Sequence, residues 1–307
     1  MVDQVSFPQN STLLLIAGPT AVGKTSVAID VARHFGCEII SADSRQFYSE
    51  LKIGTATPTA EQQNYVKHHF VGNLSLTDNY NVSRFENEVL ALLSELFAKN
   101  KFVVMVGGSG LYIKAVCDGI DDLPDVDDEL RNSLHQQLEK EGIASIRAQL
   151  QKLDPAYYSK VDLANPNRII RALEVCLATG KPYSAMRKQS RAQRNFRIIK
   201  IGLNLPRKEL HERINQRVEA MMKEGLLDEA RSFYPQRELN ALNTVGYKEL
   251  FDHFDGKYSL EDAIEKIKTN TRRYARRQIT WFKKEADIFW CQPDAAEVIG
   301  QIESRLT

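Results

Sequence analysis

Residues 12–17 (TLLLIA) form an unbroken apolar run that stops at a glycine, the pattern of a short buried strand. From Lys24 the pattern becomes helical, with Val27, Ile29 and Val31 spaced among polar residues as far as Phe35 and Gly36. Residues 37–41 (CEIIS) predict a second short strand. Ser83 and Glu86 stand at capping-box spacing ahead of Val89, Leu90, Leu92, Leu93 and Leu96, which predicts an amphipathic helix. Residues 102–106 (FVVMV) are another wholly apolar strand, closed by the glycine-rich turn 107–110 and followed by a further helical pattern. Strands that alternate with helices and are apolar on both faces belong in a parallel sheet covered on both sides.

The pattern changes near Gly119. Seven of the twelve residues 118–129 are acidic, and from there to about Arg194 the periodicity is helical with no convincing strand. Asn165 followed by Pro166 marks a helix start and Gly180 a stop. Strand character returns over residues 196–203, long helical patterns follow over 206–225 and 259–284, and a late strand covers 288–291. The expected architecture is α/β, a parallel sheet core with helices on both faces. Residues 1–120 supply its first part and residues 196–307 its second, with basic C-terminal helices. An all-helical insertion over 121–195 interrupts it.

Composition adds exclusions. Of 307 residues 43% are hydrophobic and 26% charged, which argues against disorder, collagen-like repeats and coiled-coil rods. Cys37, Cys117, Cys176 and Cys291 are too widely spaced for a disulfide framework or structural zinc, so a reducing, cytoplasmic location is expected. His68 and His69 are adjacent and on a strand would point to opposite faces, which does not suit joint metal binding. The first residues, MVDQVSFPQNS, lack a signal-peptide pattern. Apolar runs of five to six residues fall far short of a membrane span, so no membrane partner is expected.

The first chemistry appears right after the first strand. Gly18, Pro19, Thr20, Ala21, Val22, Gly23, Lys24 and Thr25 match G-x-x-x-x-G-K-[ST] at every fixed position, with a strand before and a helix after. Such P-loops aim backbone N–H groups at phosphate oxygens. The helix N-terminus and Lys24 add positive charge, and Thr25 offers a hydroxyl to Mg²⁺. Ordinary nucleotide hydrolases also place an Asp on a second apolar strand. Here residues 102–106 end in glycines, and the nearest carboxylate at that sheet edge is Asp43. On residues alone Asp43 is either a functional carboxylate or a turn or N-cap residue. A small-molecule kinase using ATP also fits the loop.

The net charge of +1, from 41 basic and 40 acidic residues, points to no partner, but the placement of charge does. Residues 168–217 hold thirteen Lys or Arg against three acidic residues. Residues 266–284 hold eight and no acid, interleaved with Tyr274, Trp281 and Phe282. Basic clusters with aromatics suit phosphate backbones and unstacked bases, although a single charge run is usually a solvated face. A non-catalytic RNA-binding module therefore stays open as well.

Taken together the motifs resemble the tRNA dimethylallyltransferases, also called tRNA isopentenyltransferases, over nearly the whole chain. The resemblance rests on GPTAVGKT (18–25), SADSRQFY (41–48), IGTATP (53–58), GGSGLYIKA (107–115), NPNRIIRALEV (165–175), HERINQRVEAMMKEGL (211–226), VGYKE (245–249) and RRQITWFK (276–283). It implies transfer of a dimethylallyl group from dimethylallyl diphosphate to N6 of the adenosine 3′ to the anticodon. It also implies Mg²⁺ as cofactor and a P-loop-type core whose helical insertion grips the tRNA anticodon stem-loop. A monomer is expected. The phosphate loop, Gly18 to Thr25, would hold the diphosphate of the prenyl donor, with Thr25 toward the metal.

By position in those motifs, Asp43 would be the general base, and Ser109 and Arg217 would contact the diphosphate. The tRNA-contact segments would carry Asp43, Ser44, Arg45, Gln46, Ser109, Arg131, Asn167, Arg168, Ile169, Ile170 and Arg171. They would also carry Asn243, Gly246, Tyr247, Lys248, Arg276, Arg277, Gln278, Trp281 and Lys283. Two positions depart from the family's habit. Ser109 stands where Thr is usual and keeps the hydroxyl, and Thr57 stands where Lys is common and carries no charge.

Overall fold

Leu13, Leu14, Leu15 and Ile16 are all buried, and the alternation of a strand divides them between two cores. Leu13 and Leu15 pack with Val103, Met105 and Phe85 on one face. Leu14 and Ile16 pack with Val104, Val106, Ile199 and Ile201 on the other. This computed structural model describes residues 7–121, 123–124, 126–187 and 192–306. Residues 1–6, Asp122 and Asp125 of the acidic stretch, and Lys188 and Arg191 of the first basic region lie outside the described residues.

Six parallel strands build the sheet: β1 (Thr12–Ala17), β2 (Ile39–Ser41), β3 (His68–His69), β4 (Phe102–Gly107), β5 (Arg197–Leu203) and β6 (Ile288–Cys291). Their spatial order is β3-β2-β4-β1-β5-β6. One face is covered by Val82–Phe97 through Phe85, Val89 and Leu93, and by the buried residues Ile267 and Phe282. The other is covered by Lys24–Phe35 through Val27, Ala28 and Val31, and by Val298 and Ile302 of Ala295–Leu306. A sheet buried on both faces needs strands apolar at every position, which is why β1 and β4 carry no alternation to read. Because β2, β4 and β1 are neighbours and parallel, the three loops leaving their C-terminal ends meet at one edge.

The cap of Val82–Phe97 is two residues earlier than its sequence suggests. Asn81, rather than Ser83, accepts the Arg84 N–H and starts the helix.

The chain divides into two compact units, Met1–Asp118 with Gln193–Thr307, and Gly119–Ala192. The second is helical among its described residues, with Asp128–Glu141, Ile143–Leu153 and Pro166–Thr179 packed on Leu134, Ile146, Leu150, Ile169 and Leu173. Asn165 caps the last of these through the Arg168 N–H, and Gly180 ends it in the left-handed conformation.

Candidate active site

The loop after β1 runs straight into Lys24–Phe35, so its amides gather at a helix N-terminus. Gly23 takes φ +103°, and Ala21 takes φ +63°, which is strained for a residue with a side chain. Lys24 folds back so that its Nζ donates to the Pro19 carbonyl at 2.7 Å. Desolvation pulls the ammonium down from its ordinary range to about 8; Asp43 opposes that pull and Arg217 adds to it.

The loop after β2 carries Asp43, half-buried, whose Oδ1 accepts the Arg45 N–H at 3.2 Å. Its neighbour Ser44 donates its N–H to Ser109 Oγ at 3.0 Å, and Ser109 donates its hydroxyl to Ser44 Oγ at 3.2 Å. The loops after β2 and β4 are thereby joined. Their approach requires glycine at position 107, where a Cβ would lie 2.2 Å from the Ala42 carbonyl oxygen. Arg45 reaches away, donating to the carbonyls of Asn240, Ala241 and Asn243 at 2.8, 3.1 and 3.2 Å. Gln46 donates to the carbonyl of Ala56 at 3.1 Å.

These loops and the helices behind them enclose a cavity of about 460 Å³. Thr20, Asp43, Arg45, Arg217, Lys248 and Arg277 supply much of its polar lining, and Val218, Met221, Leu226, Val245 and Ile267 make an apolar wall. Among the described lining residues Asp43 is the one carboxylate, and Arg45, Arg217, Lys248 and Arg277 are the cations. Burial disfavours the charge on Arg217, and Asp43 and Glu224 partly restore it. Such a cavity suits an anion with an apolar tail.

The IPP transferase family model matches residues 46–285 of the chain. A tRNA dimethylallyltransferase of Christiangramia forsetii is 54% identical over 296 residues, covering 96% of this chain and 98% of the relative. The chain belongs to the IPP transferase family. Another relative, tRNA dimethylallyltransferase 2 of Parabacteroides distasonis, is 56% identical over 289 residues, 94% of this chain and 97% of its own length. Among solved structures, the full-length tRNA isopentenylpyrophosphate transferase of Bacillus halodurans aligns with a TM-score of 0.70 at 35% identity, covering 96% of this chain and 97% of that one. A eukaryotic dimethylallyltransferase acting on tRNA aligns at 0.76 and 26% identity, covering 96% of this chain and 77% of its own.

Measured against the expectations for an IPP transferase, the phosphate loop, Asp43, Ser44, Arg45, Ser109 and Arg217 come together. Asn243, Gly246, Lys248 and Arg277 join them at the cavity wall. Arg276 is exposed on the helix Leu260–Phe282 and Lys283 at its C-cap. Tyr247 and Gln278 are buried, so they build the segments assigned to RNA contact and present no outer surface. Trp281 is half-buried, with its indole against Gly110. Thr57 is spent within its own turn, donating to the Leu51 carbonyl at 3.1 Å and bonding Thr55 Oγ1 at 2.8 Å.

In the helical unit Asn167 and Arg168 are exposed, whereas Ile169 and Ile170 lie in its core and are closed to RNA. Arg131 and Arg171 converge on Glu174, which is 2% exposed, at 2.7 and 3.1 Å. Burial alone would raise the Glu174 carboxyl, but the two guanidinium groups outweigh it and hold it below the usual carboxylate range.

Two residues take places that the sequence does not assign them. Tyr274, one of the aromatics among the basic residues, lines the cavity, and its phenol is raised by burial and by the nearby Asp43 charge. Glu229 Oε2 accepts the N–H groups of Lys52 and Ile53 at 3.1 and 2.9 Å. Its Oε1 accepts the Gly54 N–H at 2.9 Å and the Tyr247 hydroxyl at 2.6 Å, fixing the wall segment that carries Gly54 and Thr55. Its three loop amides lie 175 to 177 residues away in the chain, so no local pattern announces it.

Among the described residues no three His, Cys, Asp or Glu groups gather to cage a metal. The Thr25 hydroxyl is half-buried at the start of the helix that follows the loop.

Proposed function

We propose that the chain transfers a dimethylallyl group from dimethylallyl diphosphate to N6 of the adenosine 3′ to the anticodon of tRNA, giving N6-isopentenyladenosine. The observation that carries this reading is the electrostatics of the cavity. A phosphate loop, Lys24 and Arg217 supply positive charge around Asp43, and an apolar wall stands beside them. Membership of the IPP transferase family supports it.

An allylic diphosphate reacts as its C–O bond loosens, so negative charge builds on the departing group. Lys24, Arg217 and the loop amides stabilise charge where it develops. Thr25 and the diphosphate oxygens would hold Mg²⁺, which fits an ion that keeps most of its waters and binds through substrate phosphates. When bound, it offsets part of the leaving group's charge. Exocyclic N6 is a poor nucleophile because its lone pair is delocalised. Asp43 takes its proton as C–N bonding makes the nitrogen acidic. Reaching that atom requires the base to leave its stack, which is cheapest in a single-stranded loop.

In this reading Arg168, Asn167, Lys248, Arg276 and Lys283, all exposed, meet the tRNA backbone and set register. The enzyme works as a cytoplasmic monomer, with Cys37, Cys117, Cys176 and Cys291 free and buried. The test is mass spectrometry of nucleosides after incubating protein, Mg²⁺, dimethylallyl diphosphate and unmodified tRNA. N6-isopentenyladenosine is expected. Its absence, with label from γ-phosphate-labelled ATP moving to a small metabolite, would replace the transferase with a kinase.

A further inference from the structure

The helix Leu260–Phe282 shows basic residues outside, yet on its buried side, between Ala275 and Phe282, stands a polar residue, Gln278, 5% exposed. Its carboxamide spans two loops. Oε1 accepts the Thr20 N–H at 2.8 Å, and Nε2 donates to the Gly108 carbonyl at 3.0 Å. The amide orientation follows from its partners, since an N–H can only donate and a carbonyl only accept. At Gly108 a Cβ would sit 2.1 Å from Nε2, so glycine is what lets the carboxamide in.

The Thr20 N–H and the Pro19 carbonyl belong to one peptide group. That carbonyl accepts Lys24 Nζ at 2.7 Å. A single peptide plane of the phosphate loop is therefore gripped at both ends, by Gln278 and by the loop's own lysine. The next residue, Ala21, sits at φ +63°, a conformation that persists only where the surroundings over-determine it. A buried carboxamide is costly unless both its groups are bonded, and here each is bonded to a loop of the cavity edge.

We propose that Gln278 is a positioning residue of the donor site. It holds the Pro19–Thr20 peptide so that the loop is shaped, and Lys24 aimed, before a diphosphate arrives. This rests on the transferase reading, and it moves Gln278 from the RNA contacts to the donor side. Gln278→Met removes both bonds at similar volume. Gln278→Asn keeps the chemistry but is one methylene too short to bridge the loops.

The experiment is calorimetric titration of the full chain with inorganic pyrophosphate, beside steady-state kinetics and tRNA binding, with circular dichroism to report folding. Both variants should lose about tenfold or more in pyrophosphate affinity and in kcat/KM for the donor. tRNA affinity should stay within twofold. If Gln278→Met fails to fold, Gln278→Asn carries the test. Wild-type pyrophosphate affinity in a folded variant would overturn the proposal, and so would a loss confined to tRNA binding. Equal losses for both substrates together with less folded protein would mark a purely structural role and also overturn it. Failure of the wild type to modify tRNA would sink the transferase reading alone, because pyrophosphate binding judges Gln278 without it.

Discussion

At Asp43 one carboxylate oxygen fills the turn role that sequence leaves open, and the other is free for the functional role proposed for it. Oδ1 closes a turn by accepting the Arg45 N–H, and among the described residues Oδ2 has no hydrogen-bond partner and is left to the cavity. An amide can accept the same turn bond, so Asp43→Asn preserves the loop and deletes the base. Turnover should fall by about 10²–10⁴-fold, the usual worth of general-base assistance. tRNA affinity should change much less, since a carboxylate offers no attraction to phosphates. If Asp43 served the metal instead, the Mg²⁺ requirement would shift; a base gives a lower plateau at an unchanged requirement. Near-wild-type single-turnover rates at saturating tRNA and Mg²⁺ would remove Asp43 from the mechanism.

Among the elements, the helix Pro166–Thr179 shows how a basic segment can be read correctly as a helix and incompletely as a surface. Arg171 and Arg131 are spent largely on Glu174, whose depressed carboxyl stabilises the folded state above the ordinary Glu pKa. That contribution vanishes as pH falls through the lowered value. Glu174→Gln should cost about 1–3 kcal/mol at pH 7, toward the lower end because both guanidinium groups are half-exposed. The gap in Tm between the full-length variant and wild type should hold at neutral pH, narrow as pH falls below the ordinary Glu range and close once pH passes the lowered value. A gap independent of pH would mean that shape, not charge, holds the site.

The elements themselves were largely legible. β1 and β4 are apolar at every position because both faces are covered, and long helices repeat their apolar stripe. β3 was not, since two histidines carry no periodicity. Gln278 could have been placed: it falls on the stripe of Ala263, Ile267, Ala275 and Phe282, so its polarity on a buried face was the signal. Glu229 could not, because its meaning lies in loop amides distant in sequence.

For the molecule as a whole, a net charge of +1 conceals two basic stretches: residues 168–217 start in the helical unit and run on into the larger one, residues 266–284 lie wholly in the larger one, and the transferase reading requires that both meet one RNA. Arg168 and Arg276 are the informative pair. Each is exposed, and among the described residues neither guanidinium has a protein partner, so truncation removes charge without breaking an internal bond. Arg131 would be a poor choice, because Glu174 would be left buried with one partner fewer. Each of Arg168→Ala and Arg276→Ala should weaken tRNA binding and reduce the slope of log affinity against log salt by about one unit. Distant, independent phosphate contacts add, so the double variant should lose about two units of slope if both surfaces hold the same tRNA at once. A double variant no worse than the weaker single one would mean that the surfaces bind RNA in alternative modes. Unchanged slopes in both single variants would reduce these arginines to a solvated face and leave the cavity alone to account for recognition.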